Sequence, residues 1–299
     1  MKLRAYARLV RLPNLPTALA DICLAGLVLF MRMKGGESEF PFVSFFLLLL
    51  CSACLYCGGM VWNDYFDVEQ DKRERPSRPI PSGQVSTKEA AMLGWLLFAI
   101  ALSLAWLVST LSFWLAVSLV FAIFLYDGAA KRSWMGPISM GLCRFLNILL
   151  GLSMTGSTTE LWHFHLAFVV GLYIVGVTWY ARTEARQSHQ LSLQGAGIVI
   201  LASFILAAPL PLHWEPRPNS ILFPYLLVAM GFFIGIPLIR GILRPSPRYV
   251  QAGVKRCLLG LIILDAVLAT ALAGTIGLLI LILIIPSILL RRMNWLYAT

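Results

Sequence analysis

Long apolar runs recur about ten times along this chain, each close to the roughly 20 residues that a hydrocarbon core of about 30 Å demands of a helix. The pattern predicts spans over 13–31, 41–62, 88–108, 110–126, 134–156, 161–181, 192–212, 220–240, 254–272 and 275–291. The last two form one apolar stretch too long for a single crossing, so it is divided near Gly274. Backbone in lipid has to satisfy its hydrogen bonds within helices. The expected fold is therefore all-α, a polytopic membrane bundle of nine to ten transmembrane helices. No soluble domain, low-complexity linker or long repeat interrupts it, so residues 1–299 read as one integral-membrane domain.

Composition agrees with that pattern. Hydrophobic residues make up 59% of the chain and charged residues 13%, with a mean hydropathy of +0.80. Soluble domains carry about a quarter charged residues. Met1-Lys-Leu-Arg4 opens the first span without a small-residue cleavage site and reads as mature chain. The net charge of +10 sits in loops between apolar runs, which points to orientation in a membrane and to no nucleic acid. Nearly all lysines and arginines fall on one side. The other side holds Arg32, Lys34 and Arg217, and Arg144 lies inside a span. Such a bias places both termini and the loop after the second span in the cytoplasm and favours an even number of crossings. The six cysteines lie in or beside apolar runs and suggest packing, not disulfides.

Chemistry concentrates in three loops on the basic side. The first begins Asn63-Asp64-Tyr-Phe-Asp67-Val-Glu-Gln-Asp71 and continues to Arg78-Pro-Ile-Pro-Ser-Gly83. Spacings of three and four place Asp64, Asp67 and Asp71 on one helical face. Clustered carboxylates suit Mg²⁺, which shares its shell with substrate phosphates. Asn63 joins these three as a candidate metal ligand, and the aspartates are the candidate catalytic residues. The solvated-loop alternative, with salt bridges to neighbouring lysine and arginine, is less attractive in a chain with only 14 acidic residues. The proline-rich tail predicts extended backbone followed by a turn that aims Arg78. Ser86-Thr-Lys-Glu89 predicts a capping box.

In the second loop, Lys131 and Arg132 either reach a diphosphate or serve only as orientation charge. Tyr126 is an interfacial anchor or a substrate contact. In the third loop, Arg182 and Arg186 are candidate phosphate contacts, and Glu184 offers one metal oxygen. Within the spans, Arg144, Asn147, Asp21 and Asp265 face a cavity or one another, since polar groups in lipid are costly. A purely structural Arg144–Asp pair is the alternative. Asn14, at the start of the first span, is placed at the same opening.

These motifs resemble the first signature of the UbiA superfamily of membrane prenyltransferases. Arg11-Leu-Pro-Asn14 and the Tyr126…Lys131-Arg132 loop fit the same pattern. The 135–147 stretch, Met135 to Asn147, resembles the branch called EboC-like, known mainly from bacteria, which implies the inner membrane of a bacterium as the location. The resemblance implies transfer of a polyprenyl group from its diphosphate to a small lipophilic acceptor, commonly aromatic, with Mg²⁺ held by two aspartate-rich motifs. It also implies that Asn63, Asp64, Asp67 and Asp71 are the first motif and that Arg78 and Lys131 contact diphosphate. The second motif is missing. Arg182-Thr-Glu184-Ala-Arg186 stands in its place, so a two-metal site is not expected. Two readings follow: arginines replacing the second metal in a transferase, or a non-catalytic, transporter-like homologue that binds an isoprenoid or another lipophilic precursor.

Overall fold

The computed structural model of the chain describes residues 2–34, 39–158, 160–184, 187–213 and 221–293. Every regular element among them is helical. Helix α1 (Lys2–Leu9) leads through a 3₁₀ turn at Leu12–Asn14 into α2 (Leu15–Met33). Then come α3 (Phe42–Phe66), α4 (Val68–Glu74), α5 (Thr87–Val108) and α6 (Thr110–Phe124), the last continued by a π-helical turn over Leu125–Ala130. The remainder is α7 (Gly136–Leu152), α8 (Leu161–Ala181), α9 (Gln190–Ala207), α10 (Leu222–Leu243), α11 (Pro247–Ala273) and α12 (Ile284–Arg292). Among the described residues, nine segments are long and apolar enough to cross a membrane. Trp106, Phe121 and Phe232 are each more than half exposed on the outside of the bundle, a surface suited to hydrocarbon.

α2, α7, α8 and α11 form the core. α2 packs on α3, α7 and α11, and α7 packs on α8. The α7–α8 contact is a backbone contact. A Cβ at Gly141 would meet the Gly171 carbonyl oxygen at 2.7 Å, so the two helices touch where neither has a side chain. Ser86 caps α5 as its sequence predicts: its Oγ accepts from the Glu89 N–H at 3.2 Å, and Glu89 Oε2 accepts from the Ser86 N–H at 2.9 Å.

The final apolar stretch divides at Gly274, where φ is +69°, a conformation glycine adopts without penalty. The chain reverses there. A 3₁₀ segment over Gly274–Leu283 packs back along α11, with Gly277 against Ala269 and Thr270. Ten 3₁₀ residues and nine α-helical ones span about 33 Å, enough for a second crossing. The leg ends where Ser287 Oγ donates to the Pro13 carbonyl at 3.2 Å. α12 therefore returns to the end of the bundle where α1 lies.

α3 runs one turn past residue 62, to Phe66, so Asn63 and Asp64 are helical, as the spacing of the aspartates predicts. One local expectation needs correction. The stretch after α4 is not extended. Residues 76–83 form successive turns, with the Ser82 N–H bonded to the Arg78 carbonyl at 3.0 Å and the Val85 N–H to that of Pro79 at 3.0 Å. The prolines restrict φ to values that turns also use, and the carbonyls before them accept the closing bonds.

Candidate functional site

The acidic residues lie at one end of the bundle. α3 stops at Asp67, whose φ of −91° and ψ of 2° leave helical geometry. The i+4 ladder nevertheless continues through the break: the Asp67 N–H bonds the Asn63 carbonyl at 3.1 Å, and the Asp71 N–H bonds that of Asp67 at 2.8 Å. The three carboxylates consequently stay on one side of the α3–α4 path. Asp64, Asp67 and Asp71 are 2%, 9% and 4% exposed, so they are not solvated loop charges.

Each is held by cations. Arg78, itself buried, donates from Nη1 to Asp64 Oδ1 at 3.2 Å and to Asp71 Oδ2 at 2.6 Å. Arg11 Nη2 donates to the same Asp64 Oδ1 at 2.7 Å and to Asn63 Oδ1 at 3.0 Å. Lys131 bonds Asp67 Oδ2 from the opposite wall, and Arg132 lies 3.9 Å from the other oxygen. Charge-assisted bonds of this kind are stronger than neutral ones, and low exposure limits their screening.

Local packing aims these cations. Ala5 and Leu9 of α1 join Val61, Ile80, Val85 and Ala90 in a small apolar cluster that clamps the 78–85 turns over the end of α3. Arg8 Nη2 adds a bond to the Ser77 carbonyl at 2.9 Å. Directly after α1, Arg11 takes φ 49° and ψ 50°, the one positive φ outside glycine among the described residues. A non-glycine residue there carries strain. Here the turn directs its side chain back to Asn63 and Asp64.

Below the acids lies a cavity of about 120 Å³, the space open to the centre of a water molecule, between α2, α3, α6 and α7. Tyr126 and Asp127 form its upper wall, and Arg144 and Asn147 lie deeper. The π-helical turn, closed by the Lys131 N–H on the Tyr126 carbonyl at 2.9 Å, sends Asp127 into the cavity while Lys131 reaches Asp67. Asn63 Nδ2 donates to Asp127 Oδ1 at 2.6 Å. Arg144 Nη1 donates to Asp21 Oδ2 at 3.0 Å and to the Thr17 carbonyl at 2.9 Å. Asn147 gives both amide hydrogens away, to Asp21 Oδ2 at 2.7 Å and the Ala18 carbonyl at 3.0 Å, and accepts from Ser52 at 2.8 Å. Asn14 heads α2, with its carbonyl accepting from Thr17 Oγ1 at 2.8 Å.

The third loop adjoins this corner through its first residue. Arg182 Nη2 donates to the Arg132 carbonyl at 3.4 Å. Glu184 instead faces Arg75 and Lys255, and burial raises its carboxyl above the ordinary range against their pull. Arg186 lies outside the described residues.

Hard carboxylate oxygens are the donor chemistry of Mg²⁺. Asp64 Oδ1 and Asp71 Oδ2 bond one and the same nitrogen of Arg78, so a single cation reaches both. Among the described residues no three His, Cys, Asp or Glu side chains converge on one point as a finished cage. The residues thus fit an ion that displaces Arg78 and leaves further positions to water or phosphate oxygen.

Two residues of this network, Arg11 and Asp127, were not among the candidates read from the sequence. Their signals were present: an arginine directly before Leu12-Pro13-Asn14, and an acid at the end of an apolar run beside Tyr126.

Comparisons with known proteins bear on the family and the fold. A sequence profile described as the UbiA prenyltransferase family matches residues 22–243. A digeranylgeranylglyceryl phosphate synthase of Methanosarcina mazei is 31% identical over 161 residues, covering 52% of this chain and 56% of the relative. One from Methanococcoides burtonii is 32% identical over 158 residues, with the same coverage of 52% and 56%. The chain spans about half the length of the curated relatives it matches. Among solved structures, one of digeranylgeranylglyceryl phosphate synthase superposes with a TM-score of 0.68 at 20% identity, over 91% of this chain and 99% of the other. A UbiA homologue from Archaeoglobus fulgidus bound to GPP and Mg²⁺ gives 0.63 at 18% identity, over 88% of this chain and 99% of the other.

Proposed function

Since the chain belongs to the UbiA prenyltransferase family, we propose that it transfers a prenyl group from a prenyl diphosphate to a lipophilic acceptor. One observation carries this reading: three buried aspartates and the cations that hold them close over an apolar cavity inside a membrane bundle. In the proposal Asp64 and Asp71 would hold Mg²⁺ in place of Arg78, with Asp67 and Asn63 beside it, and the bound ion would supply positive charge to the diphosphate as the carbon–oxygen bond weakens. Arg78 and Arg11 exchange their carboxylate partners for phosphate oxygens. Lys131, Arg132 and Arg182 line the adjoining edge and stabilise the departing charge. The cavity under Tyr126 and Asp127 receives the hydrocarbon and keeps water from the allylic carbon. Arg144 offers a polar contact in its depth, and Asn147 braces Asp21 beside it. Glu184 is assigned no ligand role, because its neighbours are Arg75 and Lys255.

The relatives are named for a glyceryl phosphate product. The proposed acceptor is therefore a phosphorylated glyceryl lipid and not the aromatic compound expected at first. The EboC-like placement rests on the 135–147 segment alone, and the relatives reported above carry another name. The charged end of the bundle is proposed to face the cytoplasm. A second reading, binding without transfer, is favoured by the third loop, where Arg182-Thr-Glu184 stands in place of a second acidic motif and Glu184 faces Arg75 and Lys255.

The test is incubation of the purified chain with labelled prenyl diphosphate, Mg²⁺ and glyceryl phosphate lipid, alongside a host lipid extract. A labelled ether lipid supports the proposal. A product formed only from the extract overturns the choice of acceptor, and retention of diphosphate without any product overturns transfer.

A further inference from the structure

Three carboxyl oxygens deep in the bundle have no donor among the described residues: Asp21 Oδ1 and both oxygens of Asp265. Both side chains are 0% exposed. The two acids come from α2 and α11 and lie within hydrogen-bonding reach of each other. The other Asp21 oxygen is engaged by Arg144 and Asn147. Asp265 has no such partner among the described residues.

Charge decides what this pair is. The groups facing it are Cys23 of α2, Arg144 and Asn147 of α7, and Tyr173 of α8, with Tyr56 of α3 beside Arg144. Arg144 is the single cation among them, and it is spent on Asp21. The Tyr173 hydroxyl donates elsewhere, to the Cys257 carbonyl at 2.9 Å. A second carboxylate would be a buried charge with neither counter-ion nor donor, which costs far more than carrying a proton. Two acids in contact do not both ionise readily in any case.

We propose that Asp21 and Asp265 form a buried proton-binding site. One proton resides on Asp265, whose O–H donates to Asp21 Oδ1, while Asp21 stays ionised against Arg144. A single proton then gives partners to two of the three orphaned oxygens and brings the cluster to zero net charge. Asp265 acts as a positioning residue. It fixes Asp21, which with Thr17 holds Arg144 on the cavity wall and orients Asn147. Nothing in this assignment depends on prenyl transfer.

The two acids are asymmetric, and that makes the proposal testable in the 299-residue chain in detergent. An asparagine at 265 keeps a donor toward Asp21, whereas one at 21 strips Arg144 of its counter-charge. Asp265→Asn is expected to melt within ~2 °C of the parent and Asp21→Asn more than ~5 °C below it, since about 1 kcal/mol moves a large domain by a few degrees. Infrared spectra at neutral pH should show a carboxylic acid C=O stretch, shifted in D₂O, in the parent and not in Asp265→Asn. If Asp21→Asn does not fold, the infrared comparison decides alone. Equal or greater loss in Asp265→Asn than in Asp21→Asn overturns the assignment, as does an acid band that Asp265→Asn leaves undiminished.

Discussion

Arg11 Nη2 meets Asp64 Oδ1 at 2.7 Å across 53 residues of sequence, because the start of the first span and the end of the second lie at the same end of the bundle. The contact depends on a left-handed backbone at Arg11, so conformation and charge at this position are separable. Arg11→Gly relieves the backbone and loses the guanidinium, and Arg11→Ala loses the guanidinium without relief. The alanine variant is expected to be less stable than the glycine variant by about 1 kcal/mol, read by melting in detergent. Both should bind inorganic pyrophosphate in Mg²⁺ at least ~10-fold more weakly, about one charge-assisted hydrogen bond.

Arg78 is the shared counter-ion of Asp64 and Asp71. Arg78→Ala leaves both buried carboxylates short of positive charge, which costs on the order of 3–5 kcal/mol when no cation replaces it. Magnesium should therefore raise the melting temperature of Arg78→Ala more than that of the parent, by preferential binding to the folded state. An equal response of the two proteins to Mg²⁺ would count against the ion sitting between these two acids.

Asp64→Asn keeps the shape of the site and removes a charge from the pair of arginines. Calorimetric titration with pyrophosphate should show the Mg²⁺-dependent part of binding lost. Pyrophosphate retained at parental affinity, with unchanged Mg²⁺ dependence, would remove Asp64 from the proposed ligand set.

Gly141→Ala tests the α7–α8 contact apart from the polar site. Its methyl group would press on the Gly171 carbonyl, and overpacking of this kind costs typically 1–3 kcal/mol. Lower melting with pyrophosphate affinity unchanged in the folded fraction is the expected result.

Glu184 gives the pH test. Burial raises its carboxyl in the folded state, so the folded chain binds that proton more tightly than the unfolded chain. The associated stability is present below the ordinary carboxyl range and is lost as pH rises through the raised value. Glu184→Gln should therefore melt above the parent at pH 7–8 and level with it near pH 4.

Much of this was legible in the sequence because periodicity and composition act locally. Apolar run lengths marked the spans, Gly274 marked the reversal, and the spacing of Asp64, Asp67 and Asp71 placed them on one side. Arg78 is held on Asp64 and Asp71, but by a turned backbone and not by the extended one its prolines suggested. What no local pattern carries is apposition across the bundle. That Arg11 reaches α3, that Asn63 bonds Asp127, and that Asp265 lies against Asp21 all depend on which helices pack together. The π-helical turn also escaped notice, since widening a helix by one residue leaves no mark in hydropathy.

The Ser287–Pro13 bond ties the last leg of the chain to the turn that strains Arg11. A protein cut at Gly274 would keep every acid and nearly every base of the charged corner, yet lose the prop beneath it. Distant C-terminal lesions should then present as faults in the proposed pyrophosphate site, and a genetic screen for such faults would recover positions far from the charged corner.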